Sequence, residues 1–126
     1  MQKLVIIGAG MASGRVLEHL RDTAPDAFDI TVFNAEPRGN YNRIMLSPVL
    51  SGEKTYAEII THDDTWYADN NVTCRFGEKV IAVDRDRRVV IGEKGEVPYD
   101  KLIFGTGSAP FIIPLPGHDK KGVVAY

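Results

Sequence analysis

Four apolar residues, Leu4-Val5-Ile6-Ile7, run directly into Gly8-Ala9-Gly10, and no other stretch restricts the fold as tightly. A continuous β-branched run ending in glycines reads as a strand buried on both faces, of the kind found in parallel sheets. Beyond the glycines, Ala12, Val16, Leu17 and Leu20 recur at helical spacing, with Arg15, Glu18, His19 and Arg21 on the opposite side. That spacing predicts an amphipathic helix packed on the sheet. Thr23-Ala24-Pro25-Asp26 closes it, because the residue before a proline is pushed toward extended backbone. Ile30-Thr31-Val32-Phe33 then supplies a second strand, which completes a βαβ unit with a right-handed crossover.

Composition narrows what such a unit can belong to. With 126 residues and 44% hydrophobic content, the chain can bury a core without staples, and its single cysteine, Cys74, excludes an internal disulfide framework. Fifteen basic against 17 acidic residues, without a basic block, give no support for nucleic-acid binding. No apolar run approaches the roughly 18 residues that a bilayer span requires, and residues 4–7 are too few for a secretory signal. These features predict a cytoplasmic protein with no membrane partner.

Residues 34–55 are rich in Pro, Gly and Asn and read as a long loop with one helical turn around residues 46–50. A short helix is expected over residues 62–71, capped by Thr61 and stopped by Asn70-Asn71, with a third parallel strand over 72–76. Extended segments at 80–84, 88–91 and 97–99, separated by turn residues, predict an antiparallel meander. Leu102-Ile103-Phe104 forms one more strand, ended by Gly105-Thr106-Gly107, and the Pro- and Gly-rich tail at 110–122 has little regular structure.

The chemistry centres on the first turn. Gly8 permits the sharp bend, Gly10 allows backbone to approach a pyrophosphate, and the helix N-terminus offers free N–H groups to an anion. In the G-x-G-x-x-G fingerprint the third small residue falls on Ser13, with Gly14 behind it. Glu36 follows about twenty residues later, near the end of the second strand, where a carboxylate can accept both hydroxyls of an adenosine ribose. A solvated loop glutamate is the competing account, and Arg38 leaves room for a 2′-phosphate. His19, His62 and His118 are scattered, and each is expected to be a solvated or helix-surface residue. Cys74 is expected to act as a small buried apolar residue.

The glycine turn, the run Glu36-Pro37-Arg38-Gly39-Asn40-Tyr41-Asn42-Arg43-Ile44-Met45-Leu46-Ser47-Pro48 and the segment Gly105-Thr106-Gly107-Ser108-Ala109-Pro110 together resemble the FAD domain of the pyridine-nucleotide-dependent flavoprotein oxidoreductases. Within that family, the middle run and Asp64-Thr65-Trp66-Tyr67-Ala68-Asp69-Asn70 are similar to the large subunit of assimilatory NAD(P)H nitrite reductases. The resemblance implies a truncated Rossmann-like FAD-binding domain plus the three-stranded meander. Residues 1–126 would form its N-terminal portion, cut before the nicotinamide-binding domain. It implies that FAD phosphates lie on Gly8, Gly10, Met11 and Ala12, and the adenosine ribose on Glu36. Arg43 would stand beside the phosphates and ribose, Val80 would read the adenine edge through its backbone, and Thr106 and Gly107 would form the closing turn. Gly105 stands where the family has Ala, a change read as permissive. The resemblance assigns no catalytic acid or base to this segment.

For the parent protein the resemblance implies hydride transfer from NAD(P)H to the flavin. Electrons would then pass through iron–sulfur clusters to sirohaem, where nitrite becomes ammonium. The remaining domains of the chain and a small subunit are the implied partners. Two alternatives stand beside this reading. One is the FAD domain of a rubredoxin- or ferredoxin-type reductase, disfavoured by Pro48, where such relatives often have Lys. The other is a stand-alone nucleotide-binding regulatory module.

Overall fold

The computed structural model describes residues 1–125. Strand β1 (Gln2–Ile7), helix α1 (Met11–Thr23) and strand β2 (Phe28–Asn34) form the expected βαβ unit, with β1 and β2 parallel and Leu4 opposite Ile30. After β2 come a 3-10 turn (Arg43–Met45) and three short helices, α2 (Leu46–Leu50), α3 (Tyr56–Ile59) and α4 (Asp64–Asp69). Strand β3 (Val72–Phe76) then adds in parallel to β2. Strands β4 (Val80–Asp84), β5 (Val89–Gly92) and β6 (Gly95–Pro98) make the antiparallel meander. Strand β7 (Lys101–Phe104) returns beside β1, so the four-stranded parallel sheet has the order β3-β2-β1-β7.

Alternation along β1 explains how the layers assemble. Successive side chains of a strand point to opposite faces. Leu4 and Ile6 face α1, in a core with Ala9, Leu17, Val32, Tyr67 and Val72. Val5 and Ile7 face the meander, where they pack with Phe33 and Val90. Both faces of β1 are therefore covered, which accounts for the unbroken apolar run that opens the chain. This is the α/β, Rossmann-like architecture with an appended meander that the sequence predicts.

Two local expectations need correction. The helix over residues 62–71 spans only Asp64–Asp69, and its cap is Asp63, whose carboxylate accepts the Trp66 N–H at 2.8 Å, rather than Thr61. The Thr61 N–H is instead committed to the Asn40 carbonyl at 3.0 Å, which holds residue 61 outside the helix. Helix α3 falls between the loop expected over residues 34–55 and the helix expected over 62–71, where no element is predicted. It forms because Thr55 and Glu58 cap it reciprocally. Asn71 ends α4 at φ 56°, a left-handed conformation that asparagine tolerates.

Candidate nucleotide site

The carboxyl ends of β1, β2 and β7 surround an open cleft of about 650 Å³. Its walls bring together Gly8, Gly10, Met11, Ala12, Glu36, Arg43, Thr106 and Gly107, residues that lie up to a hundred positions apart in the chain. Ala9, Asn34, Ala35, Tyr41, Phe104, Gly105 and Ser108 complete the lining. Val80 is the exception. It opens β4, packs against the core on the meander side and does not line the cleft.

The turn from β1 into α1 is shaped by what its glycines touch. Gly8 has φ 101°, and a Cβ there would run into the Gly105 carbonyl, so the two strand ends meet through bare backbone. Backbone bonds tie the same point together, from Gly8 N–H to Phe33 O at 2.7 Å and from Gly105 N–H to Ile7 O at 2.8 Å. Gly10 differs. A Cβ on it would meet nothing within 4 Å, so its missing side chain serves no internal packing and leaves space on the cleft side. Gly10 caps α1 without any side-chain hydrogen bond, and the first turn carries no acidic residue. The first N–H groups of the helix thus lack intrahelical partners and present a positive dipole end to the cleft.

Ser13 fills the third fingerprint position as a packing residue. It is 2% exposed and lies against Gly105, where an added Cβ would collide with its Oγ. The absence of a side chain at 105 leaves the space that the Ser13 hydroxyl occupies, so an alanine there would require that hydroxyl to shift. Gly14 serves another contact, since a Cβ there would strike the Asn40 amide and the His62 ring.

Opposite the glycine turn, the loop after β2 carries charge into the cleft. Arg43 Nη2 donates to Glu36 Oε1 at 2.7 Å, and the Tyr41 hydroxyl lies 3.0 and 3.3 Å from the two Glu36 oxygens. Arg43 also sits over the Tyr41 ring, 5.2 Å from its centroid. Burial first, and the Glu36 hydrogen bond second, push the Tyr41 phenol above its ordinary value, so it stays a donor at neutral pH. Arg38 turns elsewhere, stacking on Tyr56 at 5.3 Å and offering its carbonyl to Asn34 Nδ2 at 2.6 Å. It is not part of the cleft wall.

What holds this loop in place was not legible in the sequence. Asn40 is 3% exposed, and its N–H donates to the Tyr67 hydroxyl at 3.0 Å while its carbonyl accepts from Thr61 and His62. Its side-chain Nδ2 meets His62 Nδ1 at 3.0 Å, and His62 Nε2 meets Glu18 Oε1 on α1 at 2.8 Å. His62 is thus a buried histidine, 4% exposed and 4.1 Å from the Trp66 ring, contrary to the surface position expected of it. The cause is the return of the loop over α1 at Gly14, which buries an amide that then needs a polar partner.

Further from the cleft, buried Glu78 accepts from Arg75 at 2.7 and 3.0 Å and from the Lys94 N–H at 3.1 Å, joining β3 to the meander. Cys74 is half-buried beside the core, and burial pushes its thiol up to about 11. Among the described residues there is no group of three His, Cys, Asp or Glu side chains able to hold a metal ion, and no helix is long and apolar enough to cross a membrane.

A glycine turn feeding an uncapped helix, an acid just past the second strand and a last strand returning beside the first are the arrangement of the Rossmann-like class of α/β domains. The chain belongs to the pyridine nucleotide-disulphide oxidoreductase family, whose pattern matches residues 2–126. It is 48% identical over 126 residues to the NAD(P)H nitrite reductase of Bacillus subtilis (strain 168), covering 99% of this chain and 16% of that protein. The assimilatory nitrate reductase electron transfer subunit of the same organism is 44% identical over 126 residues, again with 99% of this chain and 16% of that protein covered. Among solved structures, the covalent putidaredoxin reductase–putidaredoxin complex superposes with a TM-score of 0.82 at 29% identity, over 90% of this chain and 27% of that one. The chain thus spans less than a fifth of the length of either of these two curated relatives.

Proposed function

We propose that the cleft holds the ADP half of FAD, and that the chain is the N-terminal portion of the FAD-binding domain of an NAD(P)H-dependent nitrite reductase large subunit. The observation that carries this reading is the meeting of three features in one cleft: the open side of Gly10, the uncapped N-terminus of α1 and the Glu36–Arg43 pair. The helix N-terminus suits a pyrophosphate, and Glu36 suits a free ribose diol. Arg43 holds a fixed charge and a fork of donors between them. The backbone of Thr106 and Gly107 closes the cleft from the β7 side, and Val80 would reach an adenine only through its main chain.

FAD bound there would supply the exchange between hydride chemistry with NAD(P)H and single-electron transfer. This segment's own contribution is grip and orientation. In the whole protein the electrons would run toward iron–sulfur and sirohaem centres that reduce nitrite to ammonium in the cytoplasm, as part of nitrogen assimilation. The 48% identity to a nitrite reductase favours this acceptor over that of a rubredoxin- or ferredoxin-type reductase, for which the likeness to putidaredoxin reductase at 29% identity speaks more weakly.

Calorimetric titration of the chain with FAD, ADP, FMN and NAD tests the reading. FAD and ADP are expected to bind with comparable affinity and FMN not at all. Changing Gly10→Val together with Glu36→Ala removes binding while circular dichroism stays unchanged. Binding of NAD alone, or unchanged FAD affinity in a folded double variant, overturns it.

A further inference from the structure

We infer that Tyr41 is a positioning residue that sets the Glu36 carboxylate toward a vicinal diol, and so decides how strongly the cleft discriminates a ribose from a sugar lacking those hydroxyls. This rests on the reading of the cleft as a nucleotide site and adds a residue to it.

The phenol has one proton, yet its oxygen lies 3.0 and 3.3 Å from the two carboxylate oxygens of Glu36, so it sits astride the group and fixes its rotation. Arg43 then engages Oε1 at 2.7 Å. A carboxylate has about four lone-pair positions, so these two donors leave capacity for two hydroxyls. A second contact sets where Arg43 lies, since its guanidinium stands 5.2 Å from the Tyr41 centroid. One aromatic ring therefore places the acid through its hydroxyl and the base through its face.

The ring is itself well anchored. Tyr41 pairs with Ile60 through an isolated antiparallel bridge, and the next residue, Asn42, donates its N–H to the Ile59 carbonyl at 2.8 Å. The ring makes a T-shaped contact with Tyr56, centroids 5.6 Å apart. The Arg43 guanidinium over the ring and the T-shaped contact with Tyr56 tie Tyr41 to its neighbours, which favours a positioning role.

The test compares ADP with 2′,3′-dideoxy-ADP by calorimetry, in the wild type, Tyr41→Phe, Glu36→Gln and the double variant. Hydrogen bonds to a charged acceptor predict that the wild type prefers ADP by at least about tenfold. Tyr41→Phe keeps the ring platform and is expected to lower that preference about three- to tenfold, with dideoxy-ADP affinity unchanged. In the Glu36→Gln background the same change has no further effect on the ratio. A Tyr41→Phe protein that keeps the full preference, or that weakens both ligands equally, overturns the positioning role while leaving the site intact. A wild type that binds both nucleotides equally overturns the diol reading of Glu36 itself, and the role of Tyr41 with it.

Discussion

The contact between Ser13 and Gly105 offers a quantitative test of the packing at the base of the cleft. Gly105 is not among the positive-φ glycines, so its backbone can accept a side chain. Substituting Ala there removes unfolded-state freedom and is worth about 0.4–1 kcal/mol in stability wherever the space exists. Opposite Ser13 that space is taken by the Ser13 Oγ, which the new Cβ would meet well inside contact distance and force out of its place. Overpacking of this kind costs about 1–3 kcal/mol, so Gly105→Ala alone should be net destabilising by up to about 2.5 kcal/mol. Ser13→Ala removes the colliding atom, and the remaining neighbours, Ser13 Cβ and the Ile7 carbonyl, lie at an ordinary 3.5 Å. The Ser13 hydroxyl is buried without a hydrogen-bond partner among the described residues, so its loss alone should be neutral or stabilising. The double variant is then expected to be at least as stable as Ser13→Ala. Urea unfolding of the four proteins gives the coupling energy directly, expected at about 1–3 kcal/mol. Additivity within about 0.5 kcal/mol would mean that the helix moves freely against β7, and the account of close packing at the third fingerprint position would be wrong.

Other parts of the structure make separate predictions. Asp63→Ala should cost about 1 kcal/mol by loss of the α4 cap, whereas Thr61→Ala should change urea stability by less than about 0.5 kcal/mol, and equal effects would restore Thr61 as the cap. The thiol of Cys74, pushed up to about 11, should be alkylated slowly at pH 8 and about tenfold faster per pH unit above it, so rapid labelling at pH 8 would contradict its burial. The Arg75 hydrogen bonds hold the Glu78 carboxyl below its ordinary value of 4.5. A lowered native value means stability that is present above the ordinary carboxylate range and lost as pH falls through the native value. Thermal melts should therefore show Glu78→Gln lowering Tm at pH 7 and narrowing the gap between pH 7 and pH 3, and a gap equal to wild type would refute the ion pair's part in acid stability.

What could be read from the chain alone follows the reach of each interaction. Strand β1, helix α1 and the glycine turn were legible because their signals are local: a continuous apolar run, helical spacing and a turn needing φ near 101° at Gly8 all sit within about twenty residues. The meander was legible for the same reason, its strands being separated by turn residues at short intervals. The loop between β2 and α4 was not, because long-range partners determine its form. Asn40 is fixed by Tyr67 and His62, more than twenty residues away, and His62 in turn reaches Glu18, 44 residues back. No spacing rule marks such a trio, which is why His62 reads as a surface residue and proves to be buried.

The consequence for the site is specific. Glu36 and Arg43 were found by motif, yet what sets them opposite Gly10 is the clamp at Asn40 together with the ring of Tyr41. The clamp joins the acidic loop to the helix that carries the glycine turn, through His62 and Glu18 on one side and the close approach at Gly14 on the other. The two halves of the cleft are therefore coupled through α1. A change at Gly14 or His62 should alter nucleotide affinity without touching any atom in the cleft wall.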